Sequence, residues 1–188
     1  MDLQCVKDVE IGLFGQMFFA GLMISSIFFL PLADTKGRRP LVIIFHGIQV
    51  VSYAIANFVV NQYSRYAMLF CLGLSMGIIC NVDYMLAMEL APERHEEYIG
   101  SYMLSLDSVS MIASAIFLLF ISRNTAIFQY VGFGFTVLCF VLMFIVSESP
   151  KFLHSSGRFD EAREVLLKIA RVNGKQIRKE EIRFVEEF

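Results

Sequence analysis

The sequence predicts an all-α fold, a polytopic bundle of membrane helices, on three observations. The 188 residues are 56% hydrophobic with a mean hydropathy of +0.61, more apolar surface than a soluble domain of that size can hide. Five apolar runs recur along the chain, each about twenty residues long, the length that crosses a bilayer as a helix. The charged residues gather mostly in the breaks between those runs and in the C-terminal tail. A formal net charge of −2 says little about partners. The basic residues sit at membrane edges and in a mixed-charge tail, so there is no nucleic-acid footprint.

The opening stretch MDLQCVKDVE is polar and acidic. It lacks the basic start and short apolar core of a signal peptide. The first span covers about residues 11–32, and Gly12, Gly15, Ala20, Gly21, Ser25 and Ser26 give it small surfaces for close helix contacts. The stretch from Leu32 to Pro40, LADTKGRRP, follows as a charged turn. Gly37 permits a tight bend there and Pro40 suits the first turn of the next helix. Asp34 ends a helix where a cation is favoured, which predicts a partner for it other than its own helix dipole.

The second span covers about residues 41–60 and carries His46, Gln49, Ser52 and Asn57, which must face protein or water. For His46, a hydrogen-bonded packing role is weighed ahead of a proton relay. A short loop at 61–65 leads to a third span over about 66–90. In it, Gly73-Leu74-Ser75-Met76-Gly77 is a small-xxx-small packing face. Asn81 and Asp83 lie further along the same apolar run. Glu89 closes that helix, and APERHEEY forms a charged turn with Arg94 in it.

The fourth span covers about residues 98–121 and contains Asp107. At 1.5 Å per residue this acid falls near mid-membrane. Two readings stand for it: a carboxylate that binds a cationic solute or a coupled proton, and a structural hydrogen-bonded acid. Asp83 lies about 9 Å from Glu89 along its helix, so a gate or packing role suits it better than solute binding. The loop Ser122-Arg123-Asn124 precedes a fifth span over about residues 125–146. The membrane part ends at Ser147-Glu148-Ser149-Pro150-Lys151-Phe152.

Residues 1–150 thus form the membrane domain, and residues 151–188 a cytoplasmic amphipathic helix and charged tail. Phe159, Ala162, Val165, Leu166, Ile169 and Ala170 recur at helical spacing. Ser155 or Ser156 is expected to begin this helix and Asn173-Gly174 to stop it. The segment from Lys175 to Phe188 is either helical or disordered. Of the cysteines, Cys71, Cys80 and Cys139 read as small apolar packing residues; Cys5 stands just before the first span. No metal-ligand spacing, phosphate loop or nucleophile–base pair can be assembled, so the sequence implies no enzyme, no metal and no cofactor.

Orientation follows from the basic residues. Lys36, Arg38, Arg39, Arg94 and those after Pro150, thirteen of the sixteen, lie on one side. Lys7, Arg65 and Arg123 lie on the other. The richer side is cytoplasmic, which places the C-terminus there and makes the charged turn at Gly37 a cytoplasmic hairpin.

Four motifs then add a resemblance. Asp34-Thr35-Lys36-Gly37-Arg38-Arg39 resembles the loop between helices 2 and 3 of the major facilitator superfamily, G-x-x-x-D-R/K-x-G-R-R, with Leu30 at the leading Gly and Thr35 at the first basic position. Glu89-Leu90-Ala91-Pro92 resembles the E-x-x-P at the end of helix 4 in sugar porters and organic cation transporters, with Glu96 where those branches carry Arg. Glu148-Ser149-Pro150-Lys151-Phe152-Leu153 is similar to their P-E-S-P-R-W-L at the end of helix 6, and Gly157-Arg158-Phe159-Asp160-Glu161-Ala162 to their G-R-x-x-E-A. Cys5 and the ending Ile169 to Gly174 lean toward the organic cation branch.

The resemblance implies helices 2 to 6 of a twelve-helix rocker-switch transporter, with helix 1 and helices 7 to 12 expected outside this sequence. It implies alternating-access transport of a small organic solute, an organic cation, ion or sugar-like molecule, in the plasma membrane or a vesicle membrane. Its cytoplasmic gate is expected to use Asp34, Gly37, Arg38, Arg39, Glu89, Arg94, Glu148 and Lys151. Asp107, Asp83 and Asn81 are the candidate solute or proton site. The expected partners are solute, lipid, and the missing C-terminal half or another membrane protein. The rival is a non-transporting five-helix membrane subunit.

Overall fold

The computed structural model describes residues 8–58, 62–121, 125–175 and, in the tail, 178, 179, 182 and 184. Among these residues every regular element is a helix. The first span is one continuous rod. It comprises α1 (Asp8–Ile24), a π turn (Ser25–Phe29) and α2 (Leu30–Lys36). The second span is α3 (Arg38–Phe58). The third is α4 (Gln62–Ile78), a second π turn (Ile79–Asp83) and α5 (Tyr84–Leu90). A 3-10 turn, Glu93–His95, leads into α6 (Glu96–Ile116), which a π turn, Phe117–Ile121, extends. The fifth span is α7 (Thr125–Met143), and α8 (Pro150–Ser155) and α9 (Phe159–Val172) follow. Five of these rods are long and apolar enough to cross a membrane.

The helices begin and end in different places from those read off hydropathy. Leu32 to Pro40, expected to be a loop, is helical on both sides, and Gly37 alone breaks it. Charged side chains do not stop a helix; they stop only its passage through hydrocarbon. Residues 62–65, expected in a loop, belong to α4. The expected loop at Ser122-Arg123-Asn124, together with Cys5, lies outside the described residues.

Small residues set the tightest seam. A Cβ on Gly21 would strike the backbone of Phe70 and Leu74, and one on Gly73 would strike the backbone of Phe18. The α1 and α4 backbones therefore touch, as small residues allow in a bilayer, where van der Waals packing replaces the hydrophobic effect. Gly77 meets Ser25 in the same seam. Gly12 and Gly15, also expected as packing surfaces, have nothing within 4 Å of a built Cβ.

The apolar core lies where α2, α3 and the second π turn converge. Ala33, Val42, Phe45, Ile78 and Val82 are buried there. α7 reaches α3 through Phe140, whose ring lies 3.5 Å from a Cβ built on Gly47. Neither α6 nor α7 buries any of the apolar window that makes it a candidate span. Cys80 and Cys139, expected as buried packing residues, are exposed and Cys71 is half-buried.

α8 and α9 end by the same device. Gly157 (φ 72°) and Gly174 (φ 70°) take left-handed conformations. Arg158 N–H donates to Leu153 O at 2.9 Å and Lys175 N–H to Ala170 O at 2.9 Å, closing Schellman caps. The Asn173-Gly174 stop is thus observed. Ser155 and Ser156 do not start α9; they close α8, because the glycine two residues on forces a chain reversal before the amphipathic repeat begins. Most of the segment after Lys175 lies outside the described residues. Those described return to α8 and α9, with Ile182 O accepting from Arg163 Nε at 3.1 Å and the Phe184 ring 4.8 Å from that of His154.

Candidate functional site

The site is the corner between α2 and α3, and it starts from Gly37. This residue has φ 99° and ψ 155°, a region essentially reserved for glycine. A Cβ there would also lie 2.7 Å from Glu148 Oε2 and 3.1 Å from the Phe152 ring. The bend leaves the first backbone N–H groups of α3 without helical acceptors. Glu148 supplies one: its carboxylate accepts from Arg38 N–H at 3.2 Å and Arg39 N–H at 3.2 Å, and from its neighbour Ser149 N–H at 3.0 Å. A carboxylate at a helix N-terminus is stabilised by orphan donors and helix dipole together, by up to about 2 kcal/mol when partly buried. The segment after α7 is thereby fixed to the start of α3.

Glu148 is held in turn by the start of α8. Ser149 is the N-cap, accepting from Phe152 N–H at 3.2 Å, and Pro150 occupies the first helical position. Phe152 is buried, with the Arg38 guanidinium 5.9 Å above its ring.

Arg38 is the hub. Its side chain is only 10% exposed. Nη1 lies 2.7 Å from Glu89 Oε2, at the end of the third span, as an ion pair rather than with hydrogen-bond geometry. Nη2 lies 3.4 Å from Asp34 Oδ1, which donates nothing and sits at 66% exposure. Asp34 thus has the partner its position called for. Arg39 Nη2 donates to Phe144 O at 2.9 Å, capping a carbonyl left over at the end of α7. Lys168 of α9 does likewise at Ile145 O, 3.1 Å, and Ser147 Oγ, 2.9 Å. Three helix ends and both terminal helices are joined through charge at one end of the bundle.

Two expected members are exposed. Arg94 is exposed on the 3-10 turn, and among the described residues no ion pair or hydrogen bond ties it to Arg38. Lys151 is exposed on α8. Of the second set, Asn81 uses its side chain locally, donating to Gly77 O at 2.7 Å beside the π turn. Asp107 is exposed on α6, where its carbonyl accepts from Ser110 Oγ at 2.7 Å. Cys80 lies within electrostatic range of both Asp83 and Asp107. Asp83 is paired with His46, whose Nε2 is 3.6 Å from Oδ2.

Sequence reasoning missed that pair, because a contact between two spans depends on crossing angle and register, which spacing does not carry. It also missed the roles of Ser149 and Phe152. For Ser149 a signal was present: a serine directly before a proline that opens a short helix reads as an N-cap. Among the described residues no group of three or more His, Cys, Asp or Glu could hold a metal.

Comparison with known proteins follows this geometry. The family model described as "Sugar (and other) transporter" matches residues 3–187. The chain is similar to a solute carrier family 22 member 15-like protein of Xenopus tropicalis, 31% identical over 168 residues, covering 88% of this chain and 34% of that protein. It is similar to the organic cation/carnitine transporter 2 of Mus musculus, 26% identical, covering 92% of this chain and 31% of the relative. It is 28% identical to a β-alanine transporter of Drosophila melanogaster, covering 98% of this chain and 30% of the relative. The chain spans about a third of the length of these relatives.

Proposed function

Since the chain belongs to the sugar (and other) transporter family, we propose that it carries a small organic solute across a membrane by alternating access. The family is one of transporters, and the chain is a multi-pass membrane protein rather than an enzyme. The observation that carries the reading is the Arg38 hub. One buried guanidinium on the second span pairs with acids at the ends of the first and third, where a carrier that tilts its helices needs contacts that form in one state and break in another. Glu89, Glu148, Asp34 and Gly37 complete this gate, with Arg39 on the end of α7. Arg94 and Lys151 border it, where exposed charges contribute about 0–1 kcal/mol each.

By the distribution of basic residues this end is cytoplasmic, in the plasma membrane or a vesicle membrane. The names of the relatives make organic cations, carnitine and β-alanine the first solutes to try. Asp107 is the carboxylate assigned to meet a cationic solute, since a mid-span acid is tolerated where it faces a cavity or a partner charge. The other half of the solute pocket is supplied by further helices of the transporter or by another membrane protein.

Uptake of radiolabelled tetraethylammonium, carnitine and β-alanine into cells expressing the protein from its complete transcript tests this. Saturable uptake that, counted per molecule at the cell surface, falls to background with Arg38→Ala is the expected result. A folded, surface-expressed protein without uptake of any of them, or uptake indifferent to Arg38→Ala, overturns it.

A further inference from the structure

The third span changes winding at Ile79–Asp83, where α4 passes into α5 through a π turn. Such turns add a residue to the helical circuit, re-aim side chains and recur at functional positions. Here the turn ends on Asp83, which meets His46 of α3. The His46 side chain is 5% exposed and that of Asp83 22%. His46 Nδ1 lies 3.1 Å from Val42 O, one helical turn back, and Nε2 lies 3.6 Å from Asp83 Oδ2.

Hydrogen counting at these atoms leaves little freedom. A backbone carbonyl only accepts, so Nδ1 carries a hydrogen. In a neutral ring Nε2 is then a bare lone pair. Opposite it stands a carboxylate oxygen, which when ionised is also only an acceptor. Two lone pairs facing each other in the interior repel. A ring with its single hydrogen on Nε2 instead would satisfy Asp83 and turn the Nδ1 lone pair against Val42 O. At 3.6 Å Nε2 and Oδ2 stand at ion-pair rather than hydrogen-bond separation, and both approaches are attractive together only when the pair holds one proton more than neutral histidine and ionised aspartate. That proton sits on Nε2 or on Oδ2. Asp83 Oδ1 is shut from solvent and has no hydrogen-bond partner, so a carboxylate charge is poorly compensated there. Taking up the proton brings the pair from a net charge of −1 to zero, which the bilayer interior favours.

The geometry points to a proton-binding site made by His46 and Asp83, in which one proton from water joins α3 to the π turn of the third span. On release the proton returns to water and leaves two lone pairs opposed, so the contact between the helices opens. No other co-reactant is involved. The surrounding elements leave the pair as the nearest titratable unit. The core cluster next to it, which takes in Val42 and Val82, is packed by Phe29 of the first π turn, Leu30 and Ala33 of α2 and Met143 of α7, all apolar. The thiol of Cys80 on the same turn lies within electrostatic range of Asp83, with Asp107 of α6 acting on that thiol in turn. Arg38 and Glu89 lie beyond, with Glu89 about 9 Å along the helix from Asp83. The use of the site, coupling helix position to proton occupancy, rests on the transport reading; the proton itself does not.

The test is spectroscopic and uses the full chain in lipid nanodiscs, with ¹⁵N-labelled histidine. The chain has three histidines, and His46→Gln identifies the His46 signals. Titration from alkaline to mildly acidic pH is followed at the ring nitrogens and, by infrared difference, at the carbonyl stretch of a protonated carboxyl. The expected result is a hydrogen on Nδ1 throughout and one proton gained by, or already held on, the pair. In Asp83→Asn the carboxyl band disappears and the proton affinity of His46 changes about tenfold or more, as for strongly interacting groups. A hydrogen on Nε2 with none on Nδ1 overturns the proposal. So does an affinity of either group that is unchanged when its partner is replaced. A shared proton in a protein without uptake removes the transport reading and leaves the site; uptake with two independent titrations does the reverse.

Discussion

The Arg38 corner and the Asp107 face of α6 both put carboxylates at helices bound for a bilayer, and they are built in opposite ways. At the corner each acid arrives with its complement. Glu89 meets a guanidinium, Glu148 meets the N–H groups of α3, and the apolar core below closes the end of the bundle. On α6 Asp107 is exposed with no ion pair among the described residues, and the span that carries it buries none of its apolar window. At the corner the acids are paired within this chain. On the α6 face Asp107 has only the thiol of Cys80 within electrostatic range among the described residues. A paired acid and an open one are thus distinguished by what surrounds them, not by residue type.

The comparison is most exposed to failure at the hub. Arg38→Ala leaves Glu89 without its cation, and removing one partner of a buried pair costs about 3–5 kcal/mol. Thermal unfolding of the detergent-solubilised protein should show the largest loss here. Combining it with Glu89→Gln should return part of that loss, because the orphaned charge is gone. Strictly additive losses would mean that the corner is a set of separate contacts rather than one unit.

Next comes Gly37→Ala. The backbone region is glycine's, and strain of this kind costs about 1–3 kcal/mol. The added methyl would also press on Glu148 and Phe152. Stability measured as before should fall by that amount. A neutral effect would show that the corner tolerates a different bend and that Glu148 is not held in place by the turn.

Much of this corner was legible in the sequence. The bend at Gly37, the acids at 89 and 148 and the stop at Asn173-Gly174 depend on local chemistry or on motifs, and both are written along the chain. The partner of Asp34 was foreseen as a need and not as a residue. What was not legible lies between elements. The meeting of His46 with Asp83 requires the π turn, and a π turn has no strong signature in composition. The expected loop from Leu32 to Pro40 failed for another reason: hydropathy reports where lipid ends, while the helices continue past that level until Gly37 interrupts them. The start of α9 was misplaced because Ser155 and Ser156 are good caps by type, and Gly157 had already committed them to ending α8.

A smaller effect is expected from Glu148→Gln. The amide retains one acceptor oxygen for the α3 N–H groups and loses the charge that suits a helix N-terminus, a difference of about 1–2 kcal/mol. Amide hydrogen exchange at Arg38 and Arg39 checks it more sharply than global unfolding. Faster exchange confined to those two amides is the expected outcome. Exchange accelerated along all of α3 would mean that Glu148 supports the whole helix.

The smallest effect on stability is expected at Asp107, and it separates the two regions most cleanly. Substitution of an exposed side chain outside any ion pair usually stays within about 0.5 kcal/mol, so Asp107→Asn should leave unfolding and surface expression unchanged. Uptake of a cationic solute should nevertheless be lost, because the amide keeps the shape of the side chain and removes the charge that would meet the cation. Fold and function then part company at this residue, whereas at Arg38 they fail together. Normal uptake by Asp107→Asn would take the acid out of the solute path and turn the open face of α6 into a surface for another helix. A marked loss of stability would say instead that Asp107 has a structural partner in the assembled transporter, and the contrast with the corner would disappear.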